Sequence, residues 1–492
     1  MPINSILPFA AVAVALFAAV PMVINRRSPN TREAWSVGAA TLMFLFVLHM
    51  IPPVLDGNTL HYTLFSIAPG ISFSFRVDAM GVLFAVTASF LWILTTFYSI
   101  GYMRSLKEHA QTRYYLCFAF TMSATIGVAF AANLLTLYLC YELVGVCAYP
   151  LVAHSETEEA YAKANKYVFY LFGMAKLFLL ACFLSYGLSD TLDFKPGGVF
   201  PADADKTLLT ITFFLFLVGV GAKAAIMPLH PWLPAAMIAP TPVSALLHAV
   251  AVVKVGVFTL LRVGLDTFGL ETLKQLDVGG PVVLIVCFTI IVSSIIALSK
   301  DNLKARLAYS TISQLSYIIL GMALLTTAGV TGGVMHIANH AFSKITLFFC
   351  AGAIYVASGK KNVSELNGIA KKMPFTMAAF TIGSLSLIAF PPFAGFISKW
   401  YLIFGSVEAG QKLAVAVLVT SSILNACYFM PIVHAAYFRD LPPGEKVERR
   451  EAPPTVVVPL MLTAVAVVIL FFAPSFFLDL AIMVVPGVTG GG

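Results

Sequence analysis

The stretch FLVGVGAKAAIMPLHPWLPAAMIAPTPVSALLHAVAVVKVGVFTLL, residues 216–261, decides the fold. It opens as an apolar run, meets Lys223, breaks at Pro228, Pro231 and Pro234, and resumes as a second apolar run around Lys254. Each proline removes a backbone donor and clashes with the preceding turn, so a helix that reaches Lys223 is discontinuous just beyond it. Runs of this length and polarity belong in hydrocarbon, where irregular backbone is tolerated only against protein or a wet cavity. A lysine at that depth costs roughly 2.5–3.5 kcal/mol even on the lenient insertion scale, so it marks a functional position.

The rest of the chain repeats this character. Of its 492 residues 59% are hydrophobic and 11% charged, with mean hydropathy +0.90, whereas a soluble domain carries about 25% charged residues. The expected fold is an all-α integral membrane protein, a single polytopic domain over residues 1–492. Its fourteen expected spans are 5–24, 35–53, 78–101, 113–131, 133–153, 164–186, 207–227 with a broken continuation to 242, 243–263, 279–298, 308–326, 331–356, 373–407, 413–437 and 454–483. The first run follows an uncharged start and precedes no small-residue cleavage pattern, so it reads as a retained helix. The seven cysteines lie inside apolar runs without paired spacing, which suits packing better than metal or disulfide chemistry.

The net charge of +7 does not point to nucleic acid, because the Lys and Arg residues sit in short loops and form no basic stripe. Odd-numbered loops carry Arg26, Arg27 and Arg32; Arg104, Lys107 and Arg113; Lys163 and Lys166; Lys300, Lys304 and Arg306; Lys360, Lys361, Lys371 and Lys372; and Arg439, Lys446, Arg449 and Arg450. Even-numbered loops carry only Arg76, Lys195, Lys206, Arg262, Lys274 and Lys412. The positive-inside bias therefore predicts a cytoplasmic membrane protein with both termini on the non-cytoplasmic side.

A second proline break, Pro391–Pro392, interrupts the twelfth span five spans after the first. Five is odd, so a second copy of a five-helix unit enters the membrane in the opposite sense, as in transporters built from inverted repeats. The expected repeats are residues 113–263, spans 4–8, and residues 279–437, spans 9–13.

Other ionisable residues lie inside the apolar runs. Glu142 sits in LLTLYLCYELVGVCAYP, and His248 six residues before Lys254. His336, His340 and Lys344 are spaced by four and so share one helical face. Lys399 follows the second break, and Lys176 is a lone charge in YLFGMAKLFLLAC. Burial makes a lysine's proton easier to remove and a neighbouring carboxylate makes it harder, so a carboxylate that moves can load and unload a lysine. Histidine relays and buried water can join sites too far apart for direct transfer. These residues thus read as a proton path. A structural reading stands beside it for each: a snorkelling Lys176, satisfied core histidines at 248 and 336, an ion-pair network for Glu142, Lys223, Lys254 and Lys399, and a capping role for His230.

The same segments resemble the antiporter-like subunits shared by respiratory complex I, Mrp-type multisubunit Na+/H+ antiporters and membrane-bound hydrogenases. The most specific match is KAAIMPLHPWLPAAMIAPTPVSALLHA with KVGVFTLLR, residues 223–249 and 254–262. Further matches are FYSIGYM (97–103), YELVGVCAYPLV (141–152), DNLKARLAYSTISQLSYI (301–318), HIANHAFSKITLFF (336–349) and PPFAGFISKW (391–400). Position by position, the resemblance implies that Glu142 and Lys223 form the family's glutamate–lysine pair. It implies that Lys254 is the eighth-helix lysine, that His336, His340 and Lys344 form the eleventh-helix relay, and that Lys399 is the terminal carrier. VVKVGVF and GFISKW are most similar to the D subunit type of Mrp antiporters, and an end soon after span fourteen argues against the largest complex I member. Lys176 matches a position where that member has an arginine and has no account outside that comparison, and the polar loop 190–206 is unplaced.

The resulting expectation is a proton-translocating antiporter-like subunit of a multisubunit cation/H+ antiporter or redox-driven pump. Its partners would be other membrane subunits, the lipid bilayer and protons, with sodium left open and no nucleic acid. No Gly-rich nucleotide loop, Fe–S cysteine spacing or paired haem histidines is present, so no cofactor, metal or catalytic redox centre is expected. A stand-alone solute transporter is the rival and would gather its polar residues in one pocket. A quinone-binding oxidoreductase subunit would place them at one membrane edge.

Overall fold

The computed structural model describes residues 2–68, 70–444 and 447–485; Lys446 of the last basic loop lies outside them. The helices are α1 (Leu7–Ile24), α2 (Pro29–Leu55), α3 (Ala79–Ser105), α4 (Gln111–Ala129), α5 (Leu134–Val152), α6 (Glu158–Ser189) and α7 (Lys206–Gly221). They continue as α8 (Thr241–Phe268), α9 (Gly279–Ser299), α10 (Leu303–Ala323) and α11 (Thr327–Ser358). The last three are α12 in two pieces (Pro374–Ile388 and Gly395–Glu408), α13 (Lys412–Phe438) and α14 in two pieces (Pro454–Phe472 and Ser475–Met483).

Local chemistry sets many of these ends. Side chains of Asp78, Asn133, Thr157, Asp205, Asn302 and Thr326 accept backbone N–H groups in the first turns of α3, α5, α6, α7, α10 and α11. Each cap satisfies a donor that the helix itself leaves free. Gly359 stops α11 in the left-handed conformation.

Every expected span coincides with a helix, but among the described residues ten helices are long and apolar enough to cross a membrane on those grounds alone. α7 and the first piece of α12 are apolar but short, because the proline breaks truncate them. α4 and α10 have the length but carry many polar residues. In α10, Ser310, Thr311, Ser313, Gln314, Ser316 and Tyr317 are all buried, so protein rather than lipid surrounds this helix. The most apolar window of α8 is 100% buried, whereas that of α6 is 33% buried, which puts α8 at the centre and α6 at the rim.

A three-stranded sheet adds to the all-helical expectation. β1 (Pro2–Asn4) pairs in parallel with β2 (Thr59–Ala68), which pairs antiparallel with β3 (Ile71–Val77). Asn133, at the start of α5, donates to the Ser72 carbonyl and to Ser74 Oγ and so ties the sheet to the bundle.

Below the sheet lies a buried ion cluster. Arg262 Nη1 contacts Asp78 Oδ2 at 2.5 Å and Asp266 Oδ2 at 2.6 Å, and Arg76 Nη2 contacts the same two oxygens at 2.9 and 3.1 Å. Arg76 and Arg262, read from the sequence as loop charges, are instead buried here. The cluster also places the loop 190–206: Arg76 donates to the Phe194 carbonyl, and Lys195 and Val199 donate to the carbonyls of Asp266 and Thr267. Gly198 and Gly269 permit this contact, since a Cβ on Gly198 would lie 2.2 Å from the Phe268 carbonyl oxygen. Both have positive φ, +102° and +80°, which glycine adopts without strain.

The loops sort by parity. Arg32 bonds Gln111 and Thr112, Arg104 bonds Asn30, and Arg450 donates to the Lys372 carbonyl, which gathers odd-numbered loops on one face. Glu271, Gly279, Thr326, Gln411 and Val485 line one cavity, which gathers even-numbered loops and the described C-terminal end on the other.

Replacing Arg262 by Met would leave two aspartates sharing Arg76. Breaking a buried ion network in this way costs about 3–5 kcal/mol. The thermal midpoint of the purified protein should drop by several degrees or more. Lys274→Met removes only an exposed ion pair with Glu271, worth about 0–1 kcal/mol, and should leave it in place.

Candidate functional site

The first break begins where α7 ends. Ala225 has φ 58°, and the chain reverses through Pro228 and Pro231 before a short helix at Trp232–Ala235. Pro234 lies inside that short helix, in its first turn, where a missing N–H is harmless, so it is not part of the break. Pro150 and Pro431 likewise sit within continuous helices. The Ala222 carbonyl, just past the end of α7, accepts Trp232 Nε1 at 2.7 Å beside Ala225 N at 3.1 Å.

This turn delivers Lys223 to α5. The side chain is 1% exposed, its ammonium donates to the Tyr141 carbonyl, and it lies 3.4 Å from the centre of the Tyr141 ring. Glu142 is half-buried on the next residue, within electrostatic reach of Lys223 and Lys176. No ion pair within 4 Å joins Glu142 to either lysine among the described residues, so the expected glutamate–lysine pair is adjacent but not closed. Gly256 of α8 lets the two backbones touch here: a Cβ would lie 2.5 Å from Ala224 N. Lys176 is exposed midway along α6. The His230 ring lies against the Pro228 backbone inside the break, its Nδ1 without a close hydrogen-bond partner, and its carbonyl accepts Leu233 N.

α8 contains a π-helical turn at Leu246–Val250, a form that recurs at functional sites. His248 lies in it, fully buried, with neither ring nitrogen hydrogen-bonded and Phe348 at 4.9 Å. Lys254 follows, also fully buried and with no hydrogen bond from Nζ. Lys254 lies within electrostatic reach of His336, His340 and Lys344 on α11, and His248 within reach of Lys344 and Lys304.

On α11 the four-residue spacing does put His336, His340 and Lys344 in one buried column, with the two rings 5.8 Å apart. His336 Nδ1 pairs with Ser398 Oγ at 2.8 Å and Nε2 with Gln314 Oε1 at 3.1 Å, while His340 has no hydrogen-bond partner. Lys344 donates to the Leu307 carbonyl at 3.1 Å and to Ser310 Oγ at 2.9 Å.

The second break spans residues 389–394, with Pro391 and Pro392 inside it. α12 stops at Ile388 and frees the Leu387 carbonyl, which accepts Lys399 Nζ at 2.8 Å and Asn425 Nδ2 at 3.0 Å. Lys399 also reaches Ser422 Oγ at 3.3 Å and lies 4.9 Å from the Tyr317 ring. A cavity of about 360 Å³ lined by Lys399, Trp400 and Ser422 opens beside it.

These contacts make a chain that the sequence reading missed. The Tyr428 hydroxyl is 3.0 Å from Ser310 Oγ, which holds Lys344, and 2.5 Å from Asn425 Oδ1, whose amide shares the Leu387 carbonyl with Lys399. Lys344 and Lys399 are thus linked through Ser310, Tyr428 and Asn425. The polar residues of DNLKARLAYSTISQLSYI, and the Asn425 and Tyr428 three apart on α13, were the available signal. Among the described residues no hydrogen bond connects Lys223 with Lys254.

Fold and site together define a polytopic membrane protein organised around buried and half-buried ionisable side chains on α5, α8, α11 and α12 and in the break after α7. Residues 131–425 match the family described as NADH:quinone oxidoreductase/Mrp antiporter, TM, and residues 66–115 match the N-terminus of chain 5 of NADH-ubiquinone oxidoreductase (complex I). The chain belongs to this antiporter-like family of complex I and Mrp membrane subunits. It is 30% identical over 487 residues to NADH-quinone oxidoreductase subunit N of Desulforudis audaxviator, covering 94% of this chain and 95% of that one. It is 30% identical over 476 residues to subunit L of Mycobacterium tuberculosis, covering 93% and 72%. Its fold matches a chain of the Mrp complex from Dietzia sp. with TM-score 0.83 at 21% identity, over 96% of this chain and 97% of that one. It also matches a chain of an archaeal membrane-bound sulfane sulfur reductase with TM-score 0.88 at 24% identity, over 97% of both.

Tyr428→Phe removes the hydroxyl at the middle of the Lys344–Lys399 link. Proton uptake by the reconstituted complex should fall about tenfold, the equivalent of one hydrogen bond worth about 1–1.5 kcal/mol. Phe288→Ala, at an exposed position on α9, should leave uptake unchanged.

Proposed function

We propose that this chain carries protons across the membrane as an antiporter-like subunit of a multisubunit cation/H+ antiporter or a redox-driven pump. The observation that carries this reading is the buried row itself: Glu142, Lys223, His248, Lys254, His336, His340, Lys344 and Lys399. Its second half is joined by hydrogen bonds from Lys344 to Lys399. Spread over four helices and the break after α7, the row suits a path better than a single solute pocket.

Each lysine would pass its proton to the next group and be reloaded from behind. Ser310 and Tyr428 carry exchangeable hydroxyl protons and act as relays. Asn425 and the Leu387 carbonyl hold the geometry instead, because an amide does not readily release its N–H proton. Water completes the steps between Lys223 and Lys254 and between Tyr428 and Lys399. The Tyr141 carbonyl holds Lys223 apart from Glu142, and closing that pair would reload the lysine.

One further feature supports a subunit rather than a solitary transporter. Lys176 is exposed midway along α6, among exposed Phe169, Leu180 and Phe183, where lipid contact would cost roughly 2.5–3.5 kcal/mol. A neighbouring membrane subunit covering the α5–α6 face would remove that cost. Partner subunits would also supply the driving energy, whether from an electron-transfer reaction or from a sodium gradient.

The two breaks, each flanked by a buried lysine, support residues 113–263 and 279–437 as inverted repeats, with fourteen spans in all. The basic odd-numbered loops support a bacterial or archaeal cytoplasmic membrane, both termini on its outer side, and proton movement from Glu142 toward Lys399.

Proteoliposomes with the purified complex and its Lys223→Ala variant test the main reading: proton transport should fall at least tenfold, and unchanged transport overturns it. Single cysteines at Gly280 and Lys360 in a cysteine-free background test the orientation. A membrane-impermeant maleimide should label intact cells at position 280 and not at 360; the reverse pattern overturns the assignment.

A further inference from the structure

The face that gathers the odd-numbered loops carries a cavity of about 440 Å³, lined by Tyr102, Glu108, His154, Lys163, Thr241 and Lys304 among others. Its rim holds three groups outside the charge row. Left-handed conformations at Lys107 and Ala110 bracket Glu108 and His109 in the tight turn between α3 and α4. His154 follows the end of α5, and its carbonyl accepts Arg113 Nη2 at 3.0 Å, which fixes its backbone.

We infer that Glu108, His109 and His154 bind a divalent transition-metal ion of the zinc type at the mouth of this cavity. One donor atom from each residue lies within 4.8 Å of the others. The His109 and His154 rings are 4.9 Å apart, and His154 Nε2 is 3.7 Å from Glu108 Oε2. His154 is fully buried; its Nε2 faces only Glu108, beyond hydrogen-bond length, and its Nδ1 has no partner. A buried imidazole that faces a carboxylate and a second imidazole and leaves one nitrogen unpartnered is a built donor set rather than a solvated surface cluster.

Two imidazole nitrogens and one carboxylate oxygen suit zinc with a fourth position open, whereas magnesium and calcium favour oxygen donors. Zinc ligands at about 2.0–2.1 Å in a tetrahedron stand about 3.3 Å apart, so the donors must close by about 1.5 Å. His109 is 48% and Glu108 27% exposed in their side chains, and both can rotate toward the fixed His154. Glu156, 3.9 Å from His109 Nε2, is committed to Arg113 and stays outside the set. A bound ion would clip the α3–α4 turn to the α5–α6 loop across the cavity mouth. The sequence reading finds no metal site because these donors come from two loops without a recognisable spacing.

The inference stands apart from the proton reading and is tested without transport. The purified complex is stripped of metal and titrated with Zn²⁺ by calorimetry and with Co²⁺ by visible absorption. The expected result is one site in the wild type, with the strong absorption of four-coordinate Co²⁺, that weakens at least tenfold in His109→Ala. Because His109 is exposed, that variant should fold normally. In a second measurement Zn²⁺ should raise the thermal midpoint of the wild type but not of His154→Gln. Absence of such a site in the wild type overturns the inference, as does undiminished binding in His109→Ala.

Discussion

Backbone groups at membrane depth must find partners inside the protein, and the organisation of the site follows from that requirement. Where α12 stops at Ile388, the Leu387 carbonyl loses its helical donor and takes Lys399 and Asn425 instead. Where α7 stops, the Ala222 carbonyl takes the indole of Trp232, and the turn that follows delivers Lys223 to α5. The prolines therefore do more than interrupt helices. They convert satisfied backbone into polar surface to which buried ammonium and amide groups bind.

Such breaks are tolerable only because the broken elements are wrapped. α8 is buried on every side, α10 places its serines, threonines and Gln314 against protein, and Gly256 allows backbone contact where a larger residue would hold the helices apart. At one end, Arg76, Asp78, Arg262 and Asp266 clamp β3, α3 and α8 together, and Gly198 and Gly269 seat the loop 190–206 against them. At the other end the basic loops converge and hold Lys304 against the Ala239 carbonyl at the far side of the first break. The polar centre is thus suspended between two tied ends.

The features legible in the sequence were those that offend their surroundings. Lysine, glutamate and histidine in an apolar run, and proline in a helical one, each carry a local penalty that hydropathy and backbone rules detect. The order of spans, both breaks and the α11 column could be read for that reason. Tyr428, Asn425 and Ser310 offend nothing, since hydroxyls and amides sit quietly on an apolar helix, and their value appears only when α10, α12 and α13 meet. The ion cluster was hidden differently: Arg76 and Arg262 look like loop charges until folding brings them to Asp78 and Asp266. Alternation in TLHYTLFSIA and ISFSFRV is the signal of the strands, and it lies between the second and third spans, where hydropathy alone shows no element.

Tyr428 gives one hydrogen and keeps its oxygen open to receive another. Asn425 Oδ1 can only accept, so it takes the phenol hydrogen at 2.5 Å, while Ser310, whose Oγ accepts from Lys344, still has a hydroxyl hydrogen to turn toward the phenol oxygen at 3.0 Å. From Lys344 through Ser310 and Tyr428 to Asn425 the donors then all point the same way. One amide oxygen that cannot give thus sets a polarity along the link, and it does so without any helix having to move.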